Sequence, residues 1–93
     1  QTLLPLNPFR TEASGANAVV LVTEFKHVRT TGDTVRFRET VTFDGITTTV
    51  LENANGYTIT VVDINEYKFT STGTATTGDI TGGGFTVTAG PTS

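Results

Sequence analysis

The single histidine, His27, is the side chain in this sequence best suited to proton transfer, because imidazole titrates near neutral pH without perturbation. A catalytic histidine also needs a carboxylate to orient it and a hydroxyl to activate. Glu24, Asp33 and several threonines have the right types. The same types occur together in almost any chain of this length. We therefore interpret His27 as a loop or turn histidine, and we expect no catalytic residues and no enzymatic activity.

Acidic side chains fall in two predicted turns. Asp63 and Glu66 lie at the tip of a predicted hairpin, and Asp44 opens another turn. Paired carboxylates can bind Ca²⁺ or act as acid and base, but Ile64 and Tyr67 occupy positions at which a calcium loop needs ligands. Aspartate also favours turns by accepting backbone hydrogen bonds on its own side chain. We interpret all three acids as turn formers.

The composition excludes most metal and cofactor sites. The absence of cysteine removes disulfides, zinc fingers, iron–sulfur sites and thiol nucleophiles, and one histidine cannot build a multi-histidine metal site. Gly82-Gly83-Gly84 is not followed by the Lys-Ser/Thr pair of a phosphate loop, so we interpret it as a flexible connector. We expect neither a metal nor a cofactor.

Two arginines, Arg36 and Arg38, are predicted to project from the same face of one strand. One interpretation is a basic stripe that contacts an acidic partner subunit or a glycan. The other is a solvated outer face that discourages edge-to-edge strand pairing. Nucleic acid is not an expected partner, because the net charge is −3 and no exposed aromatic residues accompany the stripe.

The first 15 residues differ in composition from the rest. Two prolines, Pro5 and Pro8, disfavour a regular strand or helix, so residues 1–15 are predicted to form an extended apolar arm before a single small β-domain at 16–93. Burying a Leu or Phe side chain is worth roughly 1.5–3 kcal/mol. The arm would therefore bind a neighbouring subunit or fold back over its own domain, or it would serve as a linker to a further domain. Its candidate partner-binding side chains are Leu3, Leu4, Leu6 and Phe9.

The elements that position these residues are predicted to be strands throughout. The chain contains 22 threonines, which suit the exposed face of a pleated sheet. The fold class is therefore all-β, as a small six-stranded antiparallel barrel or sandwich. Glu39 breaks an apolar face and predicts a bulge or bend. No apolar run reaches the roughly 20 residues of a membrane-spanning helix, so no membrane is expected. The predicted strands cover residues 17–25, 34–43, 46–51, 57–63, 66–70 and 85–89.

Short motifs occur in an order that is typical of one family. They are Asn7-Pro8-Phe9, Val19 to Thr23, His27, Gly32 to Val35, Gly56 to Thr60, Val62-Asp63, Tyr67 to Thr70, Ala75-Thr76 and Gly82 to Gly84. From about residue 7 to about residue 89, the chain resembles small β-domains in virion proteins of tailed bacteriophages and phage-like particles. Such domains are often labelled as similar to the first catalytic cysteine half-domain of ubiquitin-activating enzymes. One departure is Val28, where the family usually has glycine.

The resemblance implies a non-enzymatic structural protein in a virion. Thioester chemistry is not implied, because this chain has no cysteine. We expect a multi-copy accessory, such as a capsid decoration (cement) protein or a tail-associated module. Its partners would be other capsid or tail subunits, and further copies of itself. The alternative is a glycan- or receptor-binding module of a tail fibre or adhesin, for which Tyr57 and Tyr67 could serve as contact residues. The default expectation for the aromatic residues of the predicted strands, these two tyrosines, Phe25 and Phe85 included, is a place in the core.

Overall fold

A computed structural model describes residues 1–93, which form short β-strands and one four-residue helix. Strands make up 40% of the chain and helix 4%, so the all-β prediction is confirmed. The elements are β1 (Thr2–Leu3), β2 (Phe9–Thr11), β3 (Gly15–Ala16), β4 (Val19–Thr23), β5 (Thr34–Arg38), α1 (Thr48–Leu51), β6 (Tyr57–Thr58), β7 (Thr60–Asp63), β8 (Glu66–Thr70), β9 (Thr74–Ala75), β10 (Thr81–Gly82) and β11 (Thr88–Gly90).

The strands form two main antiparallel sheets instead of the six-stranded arrangement predicted from the sequence. The first sheet has the order β1-β11-β5-β6, the second has the order β10-β2-β4-β8-β7, and β3 pairs separately with β9. The sheets do not close into a barrel. The count exceeds six because five short strands, β1, β2, β3, β9 and β10, lie in segments where none was predicted, and the predicted strand at 57–63 is divided into β6 and β7.

Aromatic side chains from both sheets form the centre of the core. The ring of Phe37 in the first sheet meets Phe9 edge-on at 5.1 Å and stacks on Phe69 at 5.2 Å, both in the second sheet. Tyr57 stacks on Phe69 at 4.4 Å between ring centroids. Each such pair contributes about 0.5–1.5 kcal/mol beyond its buried area, so these contacts hold the two sheets together.

The N-terminal segment belongs to the two sheets. Residues 1–15 are therefore not an arm separate from a domain at 16–93, as the sequence predicted, but part of the same folded unit. Residues 2–3 pair with β11 in the first sheet, whereas residues 9–11 pair with β4 and β10 in the second. Pro5 and Pro8 lie in the crossing between the two sheets, where no ladder hydrogen bond is required of their nitrogens. Phe9 is fully buried and Leu4 is 3% exposed.

The predicted strand at 34–43 ends early, and the one at 46–51 is replaced by a helix. β5 stops at Arg38 because Glu39 takes a left-handed conformation with φ 60°, which confirms the predicted bend. Thr47 caps α1 by accepting a hydrogen bond from the Val50 amide, and Leu51 is buried beneath it. Capping and burial at this site outweigh the strand preference of three consecutive threonines.

Other predicted turns are confirmed. Residues 63–66 join β7 to β8 as a hairpin, with Asp63 opposite Glu66. Residues 44–45 form a tight turn closed by a bridge between Phe43 and Ile46.

The three consecutive glycines are buried, Gly82 and Gly83 against aromatic rings and Gly84 against Val41, and are not a flexible connector. A Cβ on Gly82 would lie 2.6 Å from Cβ of Phe43, and one on Gly83 would lie 2.5 Å from Cδ2 of Phe9. Side chains at these positions would displace the rings that join the sheets. The glycines are therefore required by close packing.

The packing role of Gly83 predicts a specific loss of stability in Gly83→Ala. Gly83 (φ +110°) and Gly15 (φ +120°) share a left-handed backbone, but a Cβ on Gly15 has no neighbour within 4 Å. Gly15→Ala therefore measures backbone strain alone, and Gly83→Ala is expected to lose a further ~1–3 kcal/mol from overpacking. Urea unfolding of both variants checks this. Equal losses would show that Phe9 moves aside freely.

Candidate functional site

Four polar or charged side chains form a buried cluster at one end of the molecule: Glu24, His27, Arg29 and Tyr67. Glu24 directly follows β4, and Tyr67 lies in the neighbouring strand β8. Oε1 of Glu24 accepts hydrogen bonds from the Tyr67 hydroxyl at 2.7 Å and from Nε of Arg29 at 3.0 Å. The Arg29 guanidinium lies 5.8 Å from the centre of the Tyr67 ring. Both donors therefore converge on one carboxylate oxygen.

The electrostatics of the cluster keep Tyr67 protonated. Burial raises the pKa of the Tyr67 hydroxyl far above its ordinary value, and the hydrogen bond and charge of Glu24 raise it further. Burial acts to lower the pKa of Arg29, but its hydrogen bond to Glu24 and the charges nearby outweigh this and raise it. Tyr67 therefore acts as a hydrogen-bond donor, and Arg29 remains a cation.

Both ring nitrogens of His27 are occupied by backbone groups. Nδ1 accepts a hydrogen bond from the Arg29 amide at 2.8 Å, which leaves Nε2 to donate to the Asp63 carbonyl at 2.6 Å. The ring is 7% exposed and packs edge-on against Tyr67 at 5.3 Å. The geometry of the cluster joins the 24–29 loop to the β7–β8 hairpin.

That loop is held in a strained conformation. Lys26 and Val28 have φ of 52° and 49°, a region that a β-branched residue such as valine rarely adopts. Glycine would adopt this conformation at little cost, but the chain places valine at position 28. Backbone bonds from the Glu24 amide to the Asn65 carbonyl and from the His27 amide to the Ile64 carbonyl fix the loop against the hairpin tip.

Asp44 is a second polar centre, and it does more than form its turn. Its carboxylate accepts from the Thr11 hydroxyl at 2.7 Å, the Thr77 amide at 2.8 Å and the Gly78 amide at 2.9 Å. Desolvation acts to raise the pKa of Asp44, but these hydrogen bonds outweigh it and lower the pKa. The ionised carboxylate therefore ties β2 to the loop that precedes β10.

A third arrangement is the arginine face, which we define as Leu3, Arg36, Arg38 and Thr88. Val35 and Phe37 of β5 point into the core, so Arg36 and Arg38 point outward. Thr88 lies directly between Arg38 and Leu3, because it pairs with both in the sheet. The structure therefore brings three of the predicted site residues together on one sheet surface.

Neither arginine of this face has an ionic partner within the chain. The only ion pairs within 4.0 Å are Arg10–Asp79 and Arg29–Glu24. Nε of Arg36 and one terminal nitrogen of Arg38 are also buried without a hydrogen-bond acceptor. A planar guanidinium binds carboxylates and other oxyanions through parallel hydrogen bonds. Together with Leu3, which is 67% exposed, this surface suits an acidic partner with some apolar character.

The other predicted partner-binding residues lie elsewhere. Leu4 and Phe9 are buried in the chain's own core and present no surface to a partner. Their burial follows from the pairing of β1 and β2 with the two sheets. Leu6 is 68% exposed but lies beyond Pro5, outside the four-residue arginine face.

Two aromatic residues of the predicted strands lie outside the core. Phe25 and Phe85 are 65% and 75% exposed, whereas Tyr57 and Tyr67, at 7% and 0% exposed, take the core position expected of aromatic residues in strands. The two tyrosines therefore form no exposed platform for a glycan. Alternation could have identified Phe25, because the inward set in its strand is Val20, Val22 and Glu24.

Comparison of the chain with family models, curated proteins and solved structures finds no match. No three His, Cys, Asp or Glu side chains are grouped in a way that could hold a metal ion. No helix has the length and apolarity needed to cross a bilayer.

The buried cluster predicts unequal effects of removing its two kinds of hydrogen-bonding group. Glu24→Ala leaves the Arg29 guanidinium without its acceptor in a site where Arg29 is 19% exposed, and we expect a loss of ~3–5 kcal/mol. Tyr67→Phe removes one hydroxyl and is expected to lose ~0.5–1.5 kcal/mol. Unfolding in guanidinium chloride measures the stability of both variants. Similar losses in the free energy of unfolding would refute Glu24 as the centre of the cluster.

Asp44 predicts a specific dependence of stability on acid. A carboxyl whose pKa is lowered by folding stabilises the protein above its unfolded pKa of ~3.9, and this stabilisation is lost as pH falls toward the lowered folded value. Asp44→Asn tolerates the same left-handed backbone but cannot carry the charge. The difference in melting temperature between the native chain and Asp44→Asn should therefore shrink from neutral pH to below about pH 3. An unchanging difference would contradict this role.

Proposed function

We propose that this chain is a non-enzymatic structural protein of a tailed phage or phage-like particle, present in many copies as a capsid decoration protein or tail-associated module. Its location would be the virion, and its partners would be capsid or tail subunits. The family resemblance of its ordered motifs motivates the particle. The observation that carries partner binding is the unpaired arginine face.

The charge distribution supports this proposal. The chain has a net charge of −3, yet Arg36 and Arg38 lie side by side without a carboxylate of their own. A hydrogen bond to a charged group contributes about 1.5–3 kcal/mol. Two arginines that gain acidic partners would therefore favour binding to a neighbouring subunit. Repetition across many copies multiplies that effect within a particle.

The remaining titratable centres support a structural role. His27 is occupied through both nitrogens, and Glu24 accepts from two donors. Asp44 holds three hydrogen-bond donors. Each group stabilises a loop or a link between a strand and a loop. Such internal stabilisation suits a particle component that is exposed to solvent.

The proposal predicts that neutralising the arginine face reduces incorporation into particles. Arg36→Gln/Arg38→Gln should lower the amount of chain recovered in density-purified particles of the encoding phage or prophage by about tenfold or more. Quantitative mass spectrometry of those particles measures it. Arg10→Gln is the matched control, because Arg10 is an exposed arginine of the second sheet.

Two results would contradict the proposal. Native chain that is absent from the purified particles would remove the virion role. Equal incorporation of the double variant and the Arg10→Gln control would remove the arginine face from partner binding.

A further inference from the structure

Exposed apolar side chains are concentrated at one end of the molecule. Of the eight large hydrophobic residues with exposed side chains, six belong to segments at the end where the β7–β8 hairpin turns. We call this set the apolar rim. Its members are Leu6 (68% exposed), Phe25 (65%), Val28 (91%), Val41 (54%), Ile64 (65%) and Phe85 (75%).

Backbone hydrogen bonds join the rim segments into a continuous row. The Val41 amide donates to the Gly83 carbonyl, and the next residue, Gly84, exchanges hydrogen bonds with Asn7. The Thr23 amide donates to Pro8, and the Glu24 amide donates to Asn65. These bonds follow the strand order β10-β2-β4-β8, so the six apolar side chains are neighbours along one sheet end.

The rim is held in place and not left mobile. The buried cluster fixes the 24–29 loop from below, and the left-handed Lys26 and Val28 direct the chain so that Val28 stays outside. A left-handed conformation is unfavourable for a non-glycine residue, and such strain accumulates at functional surfaces. The structure thus keeps Phe25 and Val28 exposed at an energetic cost.

The exposed area approaches that of one side of a protein interface. Taking roughly 150–250 Å² for each aromatic side chain and less for each aliphatic one, the rim exposes about 500–700 Å². A standard interface buries about 800 Å² per partner. The whole chain exposes 4805 Å², so the rim is about an eighth of its surface, and apolar patches of this size mark association.

The charges beside the rim are complementary between its two ends. Lys26 lies beside the hairpin tip, where its amide bonds Asn65, and Glu39 lies at the other end, where its carbonyl accepts from Thr86. Neither side chain has an ion-pair partner in its own chain. A two-fold axis through the middle of the row would place Lys26 of each copy near Glu39 of the other.

We propose that the apolar rim is the interface of a two-fold symmetric dimer, and that its occupant is a second copy of this chain. The rim of one copy packs against the rim of the other in the reverse direction. A Lys26–Glu39 ion pair then forms at each end of the interface. This inference does not depend on the arginine face or on any particle, so either proposal can fail alone.

The test is the mass of the purified chain in solution. Sedimentation equilibrium from micromolar to millimolar concentration should show a dimer of twice the 9.8 kDa monomer. Phe25→Asp and Phe85→Asp should each raise the dissociation constant about thirtyfold or more. Val62→Asp is the control, because Val62 is 48% exposed on β7 and should leave dimerisation unchanged. Circular dichroism confirms that each variant folds.

A charge exchange tests the orientation of the two copies. Lys26→Glu and Glu39→Lys should each weaken the dimer about three- to tenfold, because like charges then meet at both ends of the interface. The double variant Lys26→Glu/Glu39→Lys should restore the native dissociation constant. A double variant that is weaker than either single one would overturn the reversed packing.

Two outcomes would overturn the dimer itself. One is a monomer mass at every concentration. The other is a monomer that binds phosphatidylcholine vesicles through Phe25 and Phe85, which would assign the rim to a lipid surface. The Arg36→Gln/Arg38→Gln variant is expected to dimerise like the native chain, even where its incorporation into particles is lost.

Discussion

The buried carboxylate of Glu24 is the constraint on which the end of the molecule at the β7–β8 turn depends. A charge at 5% exposure is tolerated only with close donors, and the chain supplies them from Arg29 and Tyr67. Bringing Arg29 back over Tyr67 requires the intervening loop to turn sharply, with left-handed residues at 26 and 28. The same turn leaves Phe25 outside. The turn of this loop therefore has two results: it brings Arg29 to the buried Glu24, and it leaves the apolar side chain of Phe25 on the surface.

Much of the fold could be predicted from local patterns, where neighbouring residues determine the outcome. Alternation placed Val35 and Phe37 inward, and Asp63 and Glu66 identified the hairpin. Prediction failed where contacts distant in sequence decide. The threonine-rich 46–51 segment became partly helical because Leu51 is buried beneath its turn. Similarly, the N-terminal segment joins both sheets, and two of its strand partners, β11 and β10, lie more than 70 residues away along the chain.

The candidate sites follow the same division. That Arg36 and Arg38 share a face follows from the two-residue strand period alone. Leu3 lies beside them only because of the register between β1, β11 and β5. That register cannot be predicted from a local sequence pattern. The apolar rim was missed because aromatic residues in strand-like segments are expected in the core. Its six members come from five separate segments, so only the assembled loops show that they are adjacent.

The pairing of the N-terminal strands with the last strands has a consequence for folding order. β1 pairs only with β11, and β2 pairs with β10 as well as with β4, so the N-terminal segment is fully paired only once residues 81–90 are present. During synthesis, Leu4 therefore remains exposed until those residues emerge, whereas Phe9 can first pair with β4. Closure of such distant contacts is slow relative to hairpin formation, so the β7–β8 hairpin would form before the core is sealed. The interval between these events is when the chain is most prone to aggregation.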